Sequence, residues 1–321
     1  MVTQIMPRNF LQRQKIMRKV LISLIPVILG GVYFFGLRLL LLLVVVTVAG
    51  IATEYLFARK RKAKVTEAVL VSSVLFTLSL PVSTPFWAAA LGISFGIFFG
   101  KEVFGGFGHN VFNPAIVGRT FLLISFPGHL TAAWTRIFTT FPGGFIHYIA
   151  PPLDALTQAT PLALFQTGET LPLSKVIVGN VFGSMGETSV ILLLLGGIIL
   201  LAGKAADWRL MLSPMLGFVG LTSVLKLAGV GGIPHPLYGL FTGGFFFLCI
   251  YFVTEPVTAP KTIPAKWLYG ILIGVITVII RYFGIFAEGA SFALLIMNIF
   301  VPLLDDAVKS LQALRKKEAA A

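Results

Sequence analysis

The chain is 321 residues long, 57% hydrophobic and only 12% charged, with a mean hydropathy of +0.94. That balance lies far above the roughly half-apolar composition of a soluble globular domain and excludes one. A formal net charge of +13 invites a nucleic-acid reading, but Lys and Arg gather at the ends of apolar runs, as in "RKRKAK" at 59–64 and "RKK" at 315–317. That is the pattern of cytoplasmic membrane loops, so no nucleic-acid partner is expected and membrane lipid is.

In chain order, the basic and amphipathic start "MVTQIMPRNFLQRQKIMRK" lacks a small-residue cleavage site and reads as a retained helix. Apolar length and Gly, Pro and charge punctuation then predict helices near 20–36, 39–58, 65–80, 85–100, 113–127, 186–203, 208–227, 238–254, 267–286 and 291–304. Several runs reach the roughly 20 residues that a hydrocarbon core requires, which gives an all-α polytopic membrane protein of about ten spans. A β-barrel would show short alternating segments instead. With the N-terminus in the cytoplasm, Arg59 to Lys64, Lys101, Lys204, Arg209, Lys261, Lys266 and the tail from Lys309 to Lys317 all fall on that side. Both termini are then cytoplasmic, and the longest connection, 128–185, is outside.

The halves echo each other. "LPVSTP" at 80–85 matches "EPVTAP" at 255–260, and "NVFNP" at 110–114 matches "NIFVP" at 298–302. The third helix thus pairs with the eighth and the fifth with the tenth. An offset of five spans is odd, so two five-helix repeats must lie inverted in the membrane, with a pathway where they meet. The expected organisation is 1–127 as first repeat, 128–185 as outer loop and 186–321 as second repeat with a basic tail.

Within "GKEVFGGFGHNVFNPAIVGR" at 100–119, Gly105, Gly106 and Gly108 permit a close backbone turn, and Asn113 before Pro114 reads as a helix cap. Glu102, His109, Asn113 and Arg119 are candidates for the wall of an ion or cofactor path. The alternative for Lys101 and Glu102 is a cytoplasmic turn with snorkelling charges. Glu255, in the repeated Pro-containing break, is the leading carboxylate for an ion path, whereas Asp305 and Asp306 read as solvated helix ends. The four histidines show no ligand spacing, and the single cysteine, Cys249, reads as a buried small hydrophobe, so no metal site is expected. In "DALTQATPLALF" at 154–165, Thr160 before Pro161 is by itself an ordinary helix start.

"GGFGHNVFNPAIVGRTFLLISFP", "TEPVTAPKT" at 254–262 and "EGASFALLIMNIFVPLLD" at 288–305 together resemble the paired membrane subunits known as the D subunit of the Rnf complex and the B subunit of the sodium-pumping NADH:quinone reductase. The resemblance covers nearly the whole chain. It implies a multi-pass subunit, in a bacterial or archaeal cytoplasmic membrane, of an ion-pumping oxidoreductase that relays electrons and contributes to Na⁺ or H⁺ movement. In that family a flavin transferase joins FMN through its phosphate to a threonine in the pattern Asp, two residues, Ser or Thr, Gly, Ala, Thr. Here the pattern reads Asp154, Ala155, Leu156, Thr157, Gln158, Ala159, Thr160, so the implied acceptor is Thr160, with Gln158 where glycine is usual. The resemblance further implies a non-covalent riboflavin between the helices, and partner subunits that oxidise the substrate. The relatively short chain, without a long N-terminal extension, points to the Rnf type; the quinone-reductase type is the alternative. The rival from another class is a passive small-solute channel, because the family fold resembles that of urea transporters.

Overall fold

The computed structural model describes residues 11–131, 137–148, 160–166, 171–187, 189–284, 286 and 288–318. Its architecture is helical: α1 (Lys15–Phe35), α2 (Arg38–Lys60), α3 (Ala68–Leu78), α4 (Phe86–Ile97), α5 (Pro114–Ser125), α6 (Pro127–Thr131), α7 (Pro161–Gln166), α8 (Leu173–Val178), α9 (Val190–Ala202), α10 (Trp208–Leu227), α11 (Pro236–Phe241), α12 (Phe245–Phe247), α13 (Ile263–Phe283) and α14 (Ala290–Glu318). A two-residue parallel pairing of Leu11–Gln12 with Val65–Thr66 is the one strand contact among the described residues. Five helices, α1, α2, α10, α13 and most of α14, are long and apolar enough to cross a membrane unaided. At about 16 Å, the 11-residue α3 is too short to span a core of about 30 Å. Large apolar side chains point outward from the long helices, among them Val44, Val48, Leu56, Ile279 and Leu303, as lipid contact requires.

The two halves pack alike. In the first, α2 packs on α4 and α4 on α5; in the second, α10 packs on α13 and α13 on α14. Across the halves α1 meets α9 and α5 meets α14. Both halves contain a π-helical turn, Phe98–Glu102 after α4 and Leu248–Phe252 after α12. The two Pro-containing breaks lie at opposite ends of the bundle. At the first, Arg38 donates to the carbonyls of Val82 (2.7 Å) and Thr84 (3.1 Å) and, from Nη1, to Tyr148 Oη, so this break shares its end with the described part of 128–185. At the second, Lys261 N–H meets the Asp305 carboxylate, beside Asp207 and Lys266.

Three expectations are corrected. The span predicted at 238–254 is broken: α11 stops at Phe241, and Gly243, at φ 68°, turns the chain before α12 begins. The helix predicted to end at 304 runs on to Glu318, since Val308, Leu311 and Leu314 continue a helical spacing through the charged tail. The match of "NVFNP" to "NIFVP" is not structural: Pro114 opens α5, whereas Pro302 lies inside α14.

Candidate functional site

Thr254, Glu255 and Pro256 follow the second π-helical turn, where the backbone leaves helical geometry and no regular ladder competes for the side chains. Here a cavity of about 30 Å³ opens between the halves, lined by Met17, Val20, Ser72, Asn113, Tyr251 and Glu255 among others. That volume holds a water or two, or a small cation stripped of most of its hydration shell. Glu255 Oε2 accepts a hydrogen bond from Thr258 Oγ1 at 3.0 Å, and the side chains of Asn113 and Asn110 reach the same carboxylate. Asn113 has a second task, accepting from Ala115 N (3.0 Å) and Ile116 N (3.3 Å) to cap α5. The Tyr251 hydroxyl donates to Ser23 O at 2.8 Å, tying this wall to α1. The cavity thus offers one carboxylate and the hydroxyls of Ser72 and Thr254 at a half-to-half seam, a donor set suited to a hard monovalent cation or a proton.

The other sequence candidates go elsewhere. Glu102 is buried and paired with Arg61. Its neighbour Lys101 meets Glu54 at 2.7 Å, and Glu54 also accepts from Thr66 N and Thr66 Oγ1, both at 2.8 Å. This network anchors the turn 103–113. Gly106, at φ 98°, takes a backbone conformation that side-chain-bearing residues rarely adopt, and it lies against the Arg61 guanidinium, 2.9 Å from where a Cβ would stand. His109 is exposed. Arg119 lies at the other break, donating to Ser79 O and paired with Glu288 from the opposite half. Glu187 stands close by: its Oε1 accepts from Ser184 N at 2.8 Å, while its Oε2, buried without a hydrogen-bond partner, faces Gly244. The arrangement resembles the first site, with Asn113, just before α5, reaching the second break and Glu288, two residues before α14, reaching Arg119 beside the first.

Sequence reasoning passed over Glu54, Arg38 and Arg281. Arg281 is 1% exposed and donates to Gly239 O (2.8 Å) and Thr242 O (3.2 Å). The available signal was position, since each is a charge inside or at the rim of an apolar run. Asp305 is corrected: it is buried, and accepts Lys261 N (2.9 Å), Thr262 N (2.9 Å) and Thr262 Oγ1 (2.8 Å), so it caps the start of α13 rather than facing solvent. Cys249 is buried as expected. Among the described residues no group of His, Cys, Asp and Glu could hold a metal ion.

Thr160 sits immediately before α7, partly exposed, with its carbonyl accepting Leu164 N at 2.9 Å. Behind it Phe165 packs near Tyr238, whose hydroxyl donates to Pro161 O at 3.5 Å and accepts from Leu171 N. Asp154, Thr157 and Ala159 lie outside the described residues.

Long apolar helices, paired breaks and a carboxylate cavity at the seam define a multi-pass α-helical membrane protein with a built polar site between its halves. Residues 7–313 match the family model described as "NQR2, RnfD, RnfE family", and the chain belongs to that family. It is similar to the B subunit of the Na⁺-translocating NADH-quinone reductase of Ectopseudomonas mendocina, 40% identical over 268 residues, covering 78% of this chain and 62% of that protein. The corresponding subunit of Pseudomonas aeruginosa strain LESB58 is 38% identical over 292 residues, covering 86% of this chain and 67% of that protein. That of Klebsiella pneumoniae strain 342 is 36% identical over 300 residues, covering 90% and 69%. The chain therefore spans about two thirds of the length of these relatives.

Proposed function

We propose that this chain is the flavin-bearing membrane subunit of an ion-translocating oxidoreductase, which relays electrons and provides part of the path for Na⁺ or H⁺. The observation that carries the ion path is Glu255 in a small enclosed cavity at the seam of two alike-packed halves, with Asn113 contributed from across the seam. An ionisable group held in apolar surroundings is costly and is retained where it works. In the proposed arrangement 1–127 and 186–321 form two inverted membrane repeats of about ten spans in all, both termini face the cytoplasm and 128–185 lies outside.

Covalent FMN at Thr160 is part of the proposal. The motif at 154–160 motivates it, and the setting of Thr160 fits: a partly exposed hydroxyl-bearing residue at the start of a short helix, remote from the basic end. Asp154, Thr157 and Ala159 would serve recognition by a flavin transferase. Bound there, FMN would supply the electron carrying that no side chain of this chain offers, and a covalent tether removes the need for a tight non-covalent pocket. A non-covalent riboflavin belongs to the same proposal without assigned residues. Partner subunits would oxidise the substrate, in a complex of the NADH:quinone or ferredoxin:NAD type; the relatives named above are of the first type.

The test is Glu255→Gln in the assembled complex in sealed vesicles. Substrate-driven ion uptake is expected to fall at least about tenfold, the scale of 1.4 kcal/mol, while flavin fluorescence on the denatured polypeptide stays unchanged. Undiminished uptake would remove Glu255 from the path.

A further inference from the structure

The basic end of the bundle carries a larger hollow that the proposed ion path does not use. It is a cleft of about 730 Å³ between α1, the α9–α10 turn and the segment 254–261, with Lys204, Lys261, Lys266, Asp207, Trp208 and Ile16 on its walls. Asp207 is already matched: it pairs with Lys266 at 2.7 Å and Arg209 at 3.5 Å, and accepts Arg209 N at 3.0 Å. The nearby Asp305 carboxylate is occupied by Lys261 N, Thr262 N and Thr262 Oγ1. The ammonium groups of Lys204 and Lys261 have neither an ion pair nor a hydrogen bond among the described residues.

The cleft is not a purely aqueous feature. Trp208 is 48% exposed and Ile16 45% exposed at its rim, where the apolar helix surfaces begin. The Trp208 ring packs edge-on against Trp267, with the Arg209 guanidinium 5.0 Å over it. Tryptophan beside basic residues at the end of apolar spans is the composition of a membrane–water boundary. Two unmatched lysines in a pocket between membrane helices call for an anion, and at that depth the abundant anion is a lipid phosphate.

From this we infer that the cleft is a binding site for the phosphate-bearing headgroup of an anionic membrane lipid. Lys204 and Lys261 clasp the phosphate, Trp208 and Ile16 flank the upper acyl chain, and the Asp207–Lys266 pair holds the floor in shape. Ala205, Thr254 and Pro256 line both this cleft and the Glu255 cavity. A headgroup seated there also cancels the positive charge at the mouth of that cavity.

The experiment is native mass spectrometry of the full chain, within its complex where one is isolated, delipidated in neutral detergent and titrated with phosphatidylglycerol, phosphatidylcholine or inorganic phosphate. Phosphatidylglycerol is expected to be retained in preference to phosphatidylcholine. The double variant Lys204→Gln with Lys261→Gln is expected to weaken that retention about thirtyfold, and Lys204→Arg with Lys261→Arg to preserve it. Equal retention of the two lipids, or undiminished retention by the glutamine variant, overturns the site. Saturation by inorganic phosphate at concentrations that displace the lipid assigns the cleft to a soluble phosphate and overturns its lipid identity. The thermal stability of the variants checks independently that they remain folded.

Discussion

The buried ion pair of Lys101 and Glu54 shows how one charge dictates another. Both side chains are at most 3% exposed, so neither ion is tolerated without its partner. Lys101→Met leaves Glu54 charged in an apolar wall with only Thr66 to satisfy it. A loss of about 3–5 kcal/mol is expected, read as lowered thermal stability in detergent. Adding Glu54→Gln removes the stranded charge and recovers part of the loss; no recovery would mean that the pair acts through packing alone. At the solvated end, burial opposes ionisation of Asp207, but the Lys266 ammonium and the Arg209 N–H and guanidinium outweigh it and hold the carboxyl below the usual range. A folded value below the unfolded one, about 3.9, means that the contribution is fully present above that pH and disappears as pH falls through the folded value. Asp207→Asn keeps a good helix cap, so the pair is what it loses, at most about 1 kcal/mol at neutral pH. The gap in melting temperature between the two forms is expected to narrow as pH falls below about 3.9, the unfolded value, and a pH-independent gap would assign the loss to geometry.

At the scale of elements, each half is held together internally by close backbone approach. A Cβ on Gly118 of α5 would come 2.5 Å from Gly92 O on α4, and one on Gly96 would run into Pro114 O. The second half repeats the device, because a Cβ on Gly217 of α10 would strike Ile271 O on α13. Small residues let membrane helices approach where no hydrophobic drive separates helix from lipid. Gly118→Ala is therefore expected to cost about 1–3 kcal/mol and to lower the yield of folded protein, measured by thermal melting. An unchanged melt would show that α4 and α5 separate freely. Most of these elements were legible in the sequence, because lipid imposes apolar length, and the cap at Asn113 followed from Asn-Pro order. What stayed hidden was interruption and continuation. Gly243 breaks the span at 238–254 through backbone geometry that a run of phenylalanines conceals, and the charged tail of α14 is helical through spacing alone. The candidate path was half legible. Glu255 and Asn113 do converge, but Glu102 and Arg119 serve other partners, and long-range partners such as Arg61 and Glu288 carry no local signal.

Across the whole molecule, chemistry is separated by distance along the bundle. The basic segments, the lipid cleft and the Glu255 cavity gather at one end, through contacts such as Lys19 Nζ to Gly203 O at 2.6 Å and Arg18 to Glu67 at 2.7 Å. The described part of 128–185 docks on the other, where Leu37 N donates to His147 O at 2.9 Å and Met185 N to Leu80 O at 3.1 Å. The proposal that the far end carries a flavin sets this chain apart from a passive channel, which has no use for one. Its most direct test is mass spectrometry of the peptide containing Thr160, from protein made alongside a flavin transferase or isolated from its native membrane in active form. The proposal predicts a mass increase of one FMN joined with loss of water, localised to Thr160 and absent in Thr160→Ala. An unmodified Thr160 in active complex would contradict it, leaving Thr160 as the cap of α7, a role worth about 0.5–2 kcal/mol.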